Sequence, residues 1–218
     1  MDERVLRILS GRGRYVEDMA FPNMAHCIFV GSPHGHARIK SINTEKAKKA
    51  PGVLTVITGE DLVKHTNPLP VLAELGVLGW EFRTPVVYPM AVDKARYYGE
   101  PVAAIVAELP GQAVEAAALL EVDYEPLPAV FDPIEAIKDD APIVHDDFPS
   151  NINATRHIEW GDVDKGFAEA DYVREDRYVL EAAHPCAMEV HNTLASYDKG
   201  TGRLTVWTST YWLIRMRY

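Results

Sequence analysis

The strongest constraint on how this chain folds is the stretch Tyr97-Tyr98-Gly99-Glu100-Pro101-Val102-Ala103-Ala104-Ile105-Val106-Ala107-Glu108. Pro101 fixes φ and removes a backbone donor, and Gly99 can take a positive φ at no Cβ cost. The run from Val102 to Ala107 has no polar side chain. A short apolar run bounded by turn residues predicts a strand buried on both faces. Pro110 suits the first position of a helix, and Gln112 to Leu120 is rich in good helix formers. Glu121-Val122-Asp123-Tyr124 then alternates and stops at Pro126. The stretch predicts a strand–helix–strand unit that serves as core and not as a site.

The chain before it is broken into short elements. Met1 to Ser10 shows a brief apolar and basic pattern. Gly11-x-Gly13 is not a dinucleotide fingerprint, because no strand precedes it and no helix follows. Strands are expected at Ala25–Val30, at His36–Ile42 by alternation, and at Val53–Thr58 by β-branching. A short helix is expected from Glu45 to Ala50, and Thr58 or Gly59 can cap the turn Glu60–Val63. Lys64 to Pro89 holds four prolines and two glycines, which predicts a long loop with short strand pieces around Val71 and Val86.

After Tyr124, Asp132 and Pro133 supply the N-cap and first position of a short helix. Residues 139–153 are polar and proline-dotted, as expected of a linker. Thr155 to Trp160 reads as a strand, Gly161 to Ala170 as a helix capped by Asp162, and Asp171 to Leu180 as a long charged strand. Thr193–Tyr197 and Arg203–Thr208 flank Asp198-Lys199-Gly200-Thr201-Gly202, the composition of a β-hairpin.

A formal net charge of −10, from 22 basic and 32 acidic residues among 218, disfavours non-specific nucleic-acid binding, which needs a positive field. No apolar run approaches the roughly 20 residues of a membrane span. The charged start Met1-Asp2-Glu3-Arg4 lacks a signal-peptide core. The expected location is therefore cytoplasmic, with no membrane and no nucleic-acid partner.

Candidate ligands are few. Cys27 and Cys186 lack metal or redox spacing and are expected as two buried thiols. His34 and His36 lie two apart, with His26 in a different strand. Structural zinc takes four ligands, so a polar turn is expected there. His184, Cys186, Glu189 and His191 match no zinc spacing and read as a bend between strands. There is no phosphate loop, nucleophile elbow or His-Glu-x-x-His. No catalytic residue and no metal ligand is assigned within the chain.

Seven runs, in order, resemble one family. They are Gly11-x-Gly13-x-Tyr15-x-x-Asp18; Ser32-Pro33-His34-Gly35-His36-Ala37-Arg38-Ile39; Pro51-Gly52-Val53 with Thr58-Gly59-Glu60-Asp61-Leu62; and Asp93-Lys94-Ala95-Arg96-Tyr97-Tyr98-Gly99-Glu100-Pro101-Val102-Ala103. Then come Val122-Asp123-Tyr124-Glu125-Pro126-Leu127-Pro128-Ala129-Val130, Gly161-Asp162-Val163-Asp164, and Leu204-Thr205-Val206-Trp207-Thr208-Ser209-Thr210. The series is similar to the N-terminal part of the large, molybdenum-binding subunit of the xanthine dehydrogenase/aldehyde oxidase family.

The resemblance implies an α+β chain. Residues 1–138, with a core of about 11–130, would form an α/β hammerhead domain. Residues 139–153 would be a linker, and 154–218 the truncated start of the first molybdopterin-binding α+β domain. Family members add water-derived oxygen to an aldehyde, N-heterocycle or similar carbon, or oxidise carbon monoxide. The implied cofactor of the full-length enzyme is molybdenum-molybdopterin, with none expected on this chain alone. The implied partners are the remaining large-subunit segment, an iron–sulfur subunit and an FAD subunit, in an oligomer. The family's glycine-rich cofactor loop and catalytic glutamate have no counterpart in the sequence. Where the family usually has a glutamine beside the metal centre, this chain has Tyr211. The resemblance thus implies a piece inactive by itself. The alternatives are a non-catalytic hammerhead-type module that binds partner subunits, or the remnant of a truncated gene.

Overall fold

The computed structural model describes residues 2–69, 80–187 and 189–210. The chain forms two compact units, 23–169 and a second one composed of 1–22 with 170–218.

In the unit 23–169, β1 (His26–Gly31), β3 (Val53–Thr58) and β6 (Pro101–Ala107) form an antiparallel sheet in the order β1-β6-β3. The apolar run is its central strand. Ile105 lies opposite both Ile28 of β1 and Val56 of β3. Because neighbours occupy both edges and both faces of β6 are covered, Val102, Ala103, Ile105 and Ala107 are fully buried. Helix α4 (Pro110–Ala117) follows with Pro110 in its first turn. Its Ala113 and Ala116, three apart and so on one helix face, meet Ile105, Val56 and Ala47 of α2 (Glu45–Lys48) in the core. Small side chains on the helices let them approach the sheet closely.

A second antiparallel sheet contains β2 (Ala37–Asn43), β5 (Lys94–Ala95) and β7 (Glu121–Pro126) in the order β5-β2-β7. The expected strand–helix–strand unit is thus present in chain order, but β6 and β7 belong to different sheets. Both edges of β6 are already taken. β7 pairs with β2 instead, where Asn43 and Lys46 bond the Glu121 carboxylate. Helix α3 (Gly59–Leu62) carries the expected cap: Thr58 Oγ1 accepts from the Asp61 amide, and the Asp61 carboxylate accepts from the Thr58 amide. Of the strand pieces expected in the long loop, that around Val71 lies outside the described residues. No strand forms at Val86. The strand there is β4 (Trp80–Phe82), paired with β8 (Ala154–Arg156).

The segment 139–153, expected as a linker, is held to this unit. The Asn151 amide donates to the carbonyls of Ala136 and Pro142, and its oxygen accepts from the Val144 amide. Helix α5 (Pro133–Ala136) is capped by Asp132, which accepts from the amides of Ile134 and Glu135. Helix α6 (Val163–Glu169) begins after Asp162, which accepts from the Lys165 amide.

In the other unit, α1 (Glu3–Leu9) occupies the N-terminal pattern and a 3-10 turn spans Val16–Asp18. Strands β9 (Thr193–Asp198) and β10 (Arg203–Thr208) form the expected hairpin, with Gly202 at positive φ in its turn. Phe21 stacks at 5.3 Å on Trp207. Asp171 to Leu180 joins no sheet, contrary to the expected strand, and no strand pairs with it among the described residues.

Candidate functional site

The densest polar cluster in the described structure lies where β2 meets β5. Arg38 faces Lys94 across the ladder, and Ala37 faces Ala95. Lys94 is a charged side chain at 1 % exposure, and its Nζ lies 2.8 Å from Oδ1 of Asp146. Glu100 is also buried. Its carboxylate accepts from the Arg96 amide and lies 3.8 Å from the Arg96 guanidinium. Arg96 also donates to the Lys94 carbonyl at 2.7 Å and reaches Asp93 at 3.5 Å.

The ionisation of the cluster follows from its burial. Desolvation pushes the Glu100 carboxyl up, against the pull of Arg96. The hydrogen bond from Lys94 holds Asp146 below the usual carboxylate range. His145, beside it, is pushed down first by burial and then by the charges of Arg96 and Lys94. His145 also lines an open cleft of about 300 Å³ with Pro85, Phe148 and Asn151. The Lys94 ammonium is committed to Asp146 and the Glu100 carboxylate to Arg96. Neither is free to move a proton to a substrate, so the cluster acts as a lock on the segment 139–153.

The histidines and cysteines singled out in the sequence do not converge. His34 and His36 sit in the expected turn. The His34 ring packs edge-on against Tyr124 at 5.1 Å. His36 Nδ1 lies 2.7 Å from the Pro128 carbonyl, so Nδ1 carries the proton. Its Nε2, like Arg96 Nε, is buried without a hydrogen-bond partner. His26 pairs with Ala107 in β1. His184 Nδ1 accepts from the Cys186 amide, but the bend expected between two strands has no strand before it among the described residues. Cys186, Glu189 and His191 join no cluster: among the described residues no three His, Cys, Asp or Glu side chains are placed to hold a metal ion. Cys27 and Cys186 are exposed and not buried as expected. Cys27 lies on a strand whose alternate positions, Ile28 and Val30, turn to the core instead.

Tyr211 lies outside the described residues. The chain leading to it is held by a small network. Ser209 Oγ accepts from the Asn192 amide and donates to the Val190 carbonyl, and the Thr193 and Thr208 hydroxyls meet at 3.0 Å. A pterin cofactor needs a convergent set of free donors for its phosphate and ring amides. Here Asn192, Thr193, Thr208 and Ser209 bond one another or nearby backbone, and the buried side-chain atoms without a partner among the described residues, His36 Nε2 and Arg96 Nε, belong to the unit 23–169. The described residues do not by themselves fit molybdopterin. The sequence reading missed the Lys94–Asp146 cluster; its signal was a charged pair, Lys94 and Arg96, set directly before an apolar strand.

Comparison with known proteins agrees with this architecture. The model of the aldehyde oxidase and xanthine dehydrogenase a/b hammerhead domain matches residues 10–128, and that of a molybdopterin cofactor-binding domain matches 144–218. The carbon monoxide dehydrogenase large chain of Afipia carboxidovorans is 37 % identical over 93 % of this chain and 26 % of its own length. The nicotine 6-hydroxylase large subunit of Paenarthrobacter nicotinovorans is 34 % identical over 94 % of this chain and 24 % of its own. Among solved structures, quinoline 2-oxidoreductase from Pseudomonas putida 86 superposes with a TM-score of 0.84 at 31 % identity, over 95 % of this chain and 26 % of that one. The chain thus spans about a quarter of the length of each of these two large chains. With the hammerhead domain followed by the start of a molybdopterin-binding domain, the chain belongs to the aldehyde oxidase and xanthine dehydrogenase family of molybdenum hydroxylase large subunits.

Proposed function

We propose that this chain forms the N-terminal part of a molybdenum hydroxylase large subunit. It supplies the hammerhead scaffold, over 1–138, and the opening of the cofactor domain from 154, joined by 139–153. The complete enzyme adds water-derived oxygen to an aldehyde, N-heterocycle or similar carbon, or oxidises carbon monoxide, and the molybdopterin supplies the redox chemistry when bound. The carrying observation is the asymmetry of coverage: the carbon monoxide dehydrogenase and nicotine 6-hydroxylase large chains match 93–94 % of this chain but only about a quarter of themselves. The chain alone binds no molybdopterin and is inactive. In the whole protein it assembles with the remaining large-subunit segment, an iron–sulfur subunit and an FAD subunit. Tyr211 takes the position where the family usually has a glutamine beside the metal centre.

The test is metal analysis of two preparations. One is this chain alone. The other is a chimera in which the chain replaces its matched quarter of the Afipia carboxidovorans carbon monoxide dehydrogenase large chain, produced with that enzyme's other subunits. The chimera is expected to carry molybdenum and the chain alone none. Stoichiometric molybdopterin on the chain alone overturns the proposal. A Tyr211→Gln chimera reports on that position through its turnover. A second reading, a module that only binds partner subunits, is favoured by the internal commitment of the Lys94 and Glu100 charges; it predicts assembly without molybdenum.

A further inference from the structure

The four buried polar or charged side chains among the described residues are Ser32, His36, Lys94 and Glu100, and all lie in the unit 23–169. Burial takes each of them out of water, so each needs a partner inside the protein. Three have one. Ser32 Oγ donates to the His34 carbonyl and accepts from its amide, Lys94 binds Asp146, and Glu100 accepts from the Arg96 amide. His36 is only half satisfied. Its Nδ1 donates to the Pro128 carbonyl at 2.7 Å. In the neutral ring that makes Nε2 an acceptor, and Nε2 has no partner among the described residues.

The other buried atom without a partner among the described residues, Arg96 Nε, faces it across a ladder. β2 and β5 are antiparallel, with Arg38 opposite Lys94 and Ala37 opposite Ala95. Continued by one residue, this register sets His36 against Arg96. Directly opposite residues carry their side chains on one face of the sheet. The shared face shows in the electrostatics as well: Asp146 feels Lys94, Arg38 and Arg96 together. Backbone bonds fix the spacing. The Ser32 amide donates to the Glu100 carbonyl at 2.9 Å, and the Gly99 amide to the Ser32 carbonyl at 2.8 Å. The turn before β2 and the stretch after β5 therefore cannot slide together to close a direct bond.

The two atoms are of opposite kinds. Arg96 Nε–H only donates, and the guanidinium keeps its proton; His36 Nε2 accepts. Whatever lies between them must accept from one and donate to the other. An anion cannot donate, and a metal cation cannot accept. The buried hydroxyl, Ser32, is committed to His34. Water does both, and buried waters characteristically bridge such groups. A third polar group stands close by: the Arg96 guanidinium lies 3.8 Å from the Glu100 carboxylate, a separation that calls for a water between.

We propose that the unit 23–169 holds one ordered internal water, which accepts from Arg96 Nε and donates to His36 Nε2. It joins the turn before β2 to the charged stretch that leads into β6.

Two measurements on the full chain test it. In a crystal structure fine enough to show ordered solvent, a water is expected within about 3.2 Å of both nitrogens. A direct bond between the two nitrogens overturns the proposal. So does an anion with both His36 nitrogens donating, and so does an absence of density between the side chains. In solution, the Arg96 Nε–H is expected to give a cross-peak to water with the sign of a long-lived internal molecule; no such cross-peak overturns the proposal. His36→Asn keeps a donor for the Pro128 carbonyl and removes the second nitrogen, and the cross-peak is expected to be lost. A cross-peak of unchanged intensity in that variant shows that Arg96 holds the water without His36, and the bridge is then wrong. Neither readout involves molybdenum or turnover, so failure here leaves the proposed function standing.

Discussion

Lys94 Nζ lies 2.8 Å from Asp146 Oδ1, and only the lysine end of that pair is buried: the Lys94 side chain is 1 % exposed and that of Asp146 62 %. The asymmetry decides what each substitution does. Asp146→Ala leaves a buried ammonium without its counter-charge, which costs about 3 kcal/mol. Lys94→Met removes the charge and keeps the apolar stem, and costs about 1 kcal/mol or less. Urea unfolding of the two variants and their double measures the difference. Equal losses would show that the stranded charge is not the cause.

The cluster also sets a pH dependence. Burial, with Arg96 and Lys94 behind it, holds His145 below its ordinary 6.5. Below pH 6.5 the unfolded chain takes up a proton that folded His145 refuses, so this stability is present above 6.5 and is lost as pH falls. Asp146, held below 3.8, adds a further loss only below 3.8. Glu100 works the other way: its raised pKa adds stability as pH falls toward 4.5. Unfolding measured from pH 7 to pH 4.5 is expected to flatten in His145→Gln and steepen in Glu100→Gln.

Asn151 ties three strands of chain together through the Val144 amide at 3.0 Å and the carbonyls of Ala136 and Pro142 at 3.1 and 2.9 Å. Asn151→Ala leaves these groups to find water, at a cost of about 2 kcal/mol in total. The accompanying change in hydrogen exchange should be confined to 136–151. A change spread evenly over both sheets would mean that this segment is not a local strap.

Two glycines separate crowding from backbone conformation. A Cβ on Gly59 meets the Ala91 carbonyl, with its carbon at 2.7 Å, and backbone cannot retreat cheaply. A Cβ on Gly99 meets nothing within 4 Å, but the residue sits at φ +84°. Gly59→Ala should therefore cost about 3 kcal/mol and Gly99→Ala about 1 kcal/mol. Thermal unfolding that reverses this order would refute the assignment of causes.

What could be read from the sequence was local. The Thr58 and Asp132 caps, Pro110 opening α4, and the hairpin around Gly200 depend on residues within four positions of one another, and all formed as expected. What could not be read was which strands share a sheet. β6 and β7 are separated by one helix, yet their partners β1 and β2 are set by edges that the local pattern does not encode. The Lys94 site was hidden for the same reason: Asp146 is 52 residues away in sequence, in a segment whose polarity alone suggested a linker.

The segment 171–180 shows most directly that composition alone does not place a strand, and proteolysis tests it. Polar and apolar residues are mixed on both of its parities, with Arg174 and Asp176 between Tyr172 and Tyr178, and no backbone partner is present among the described residues. A protease needs several residues of accessible, unpaired backbone, which this segment presents at Arg174 and Arg177, both exposed. Arg38 and Lys94, by contrast, face each other inside a ladder, so cleavage there requires the sheet to open. Brief trypsin treatment should cut at Arg174 and Arg177 roughly 100-fold faster than at Arg38 or Lys94. The product should retain the intact stretch from His26 to Pro126. Cleavage inside β2 or β5 at a rate near that of this segment would show that the two sheets are no more stable than unpaired chain.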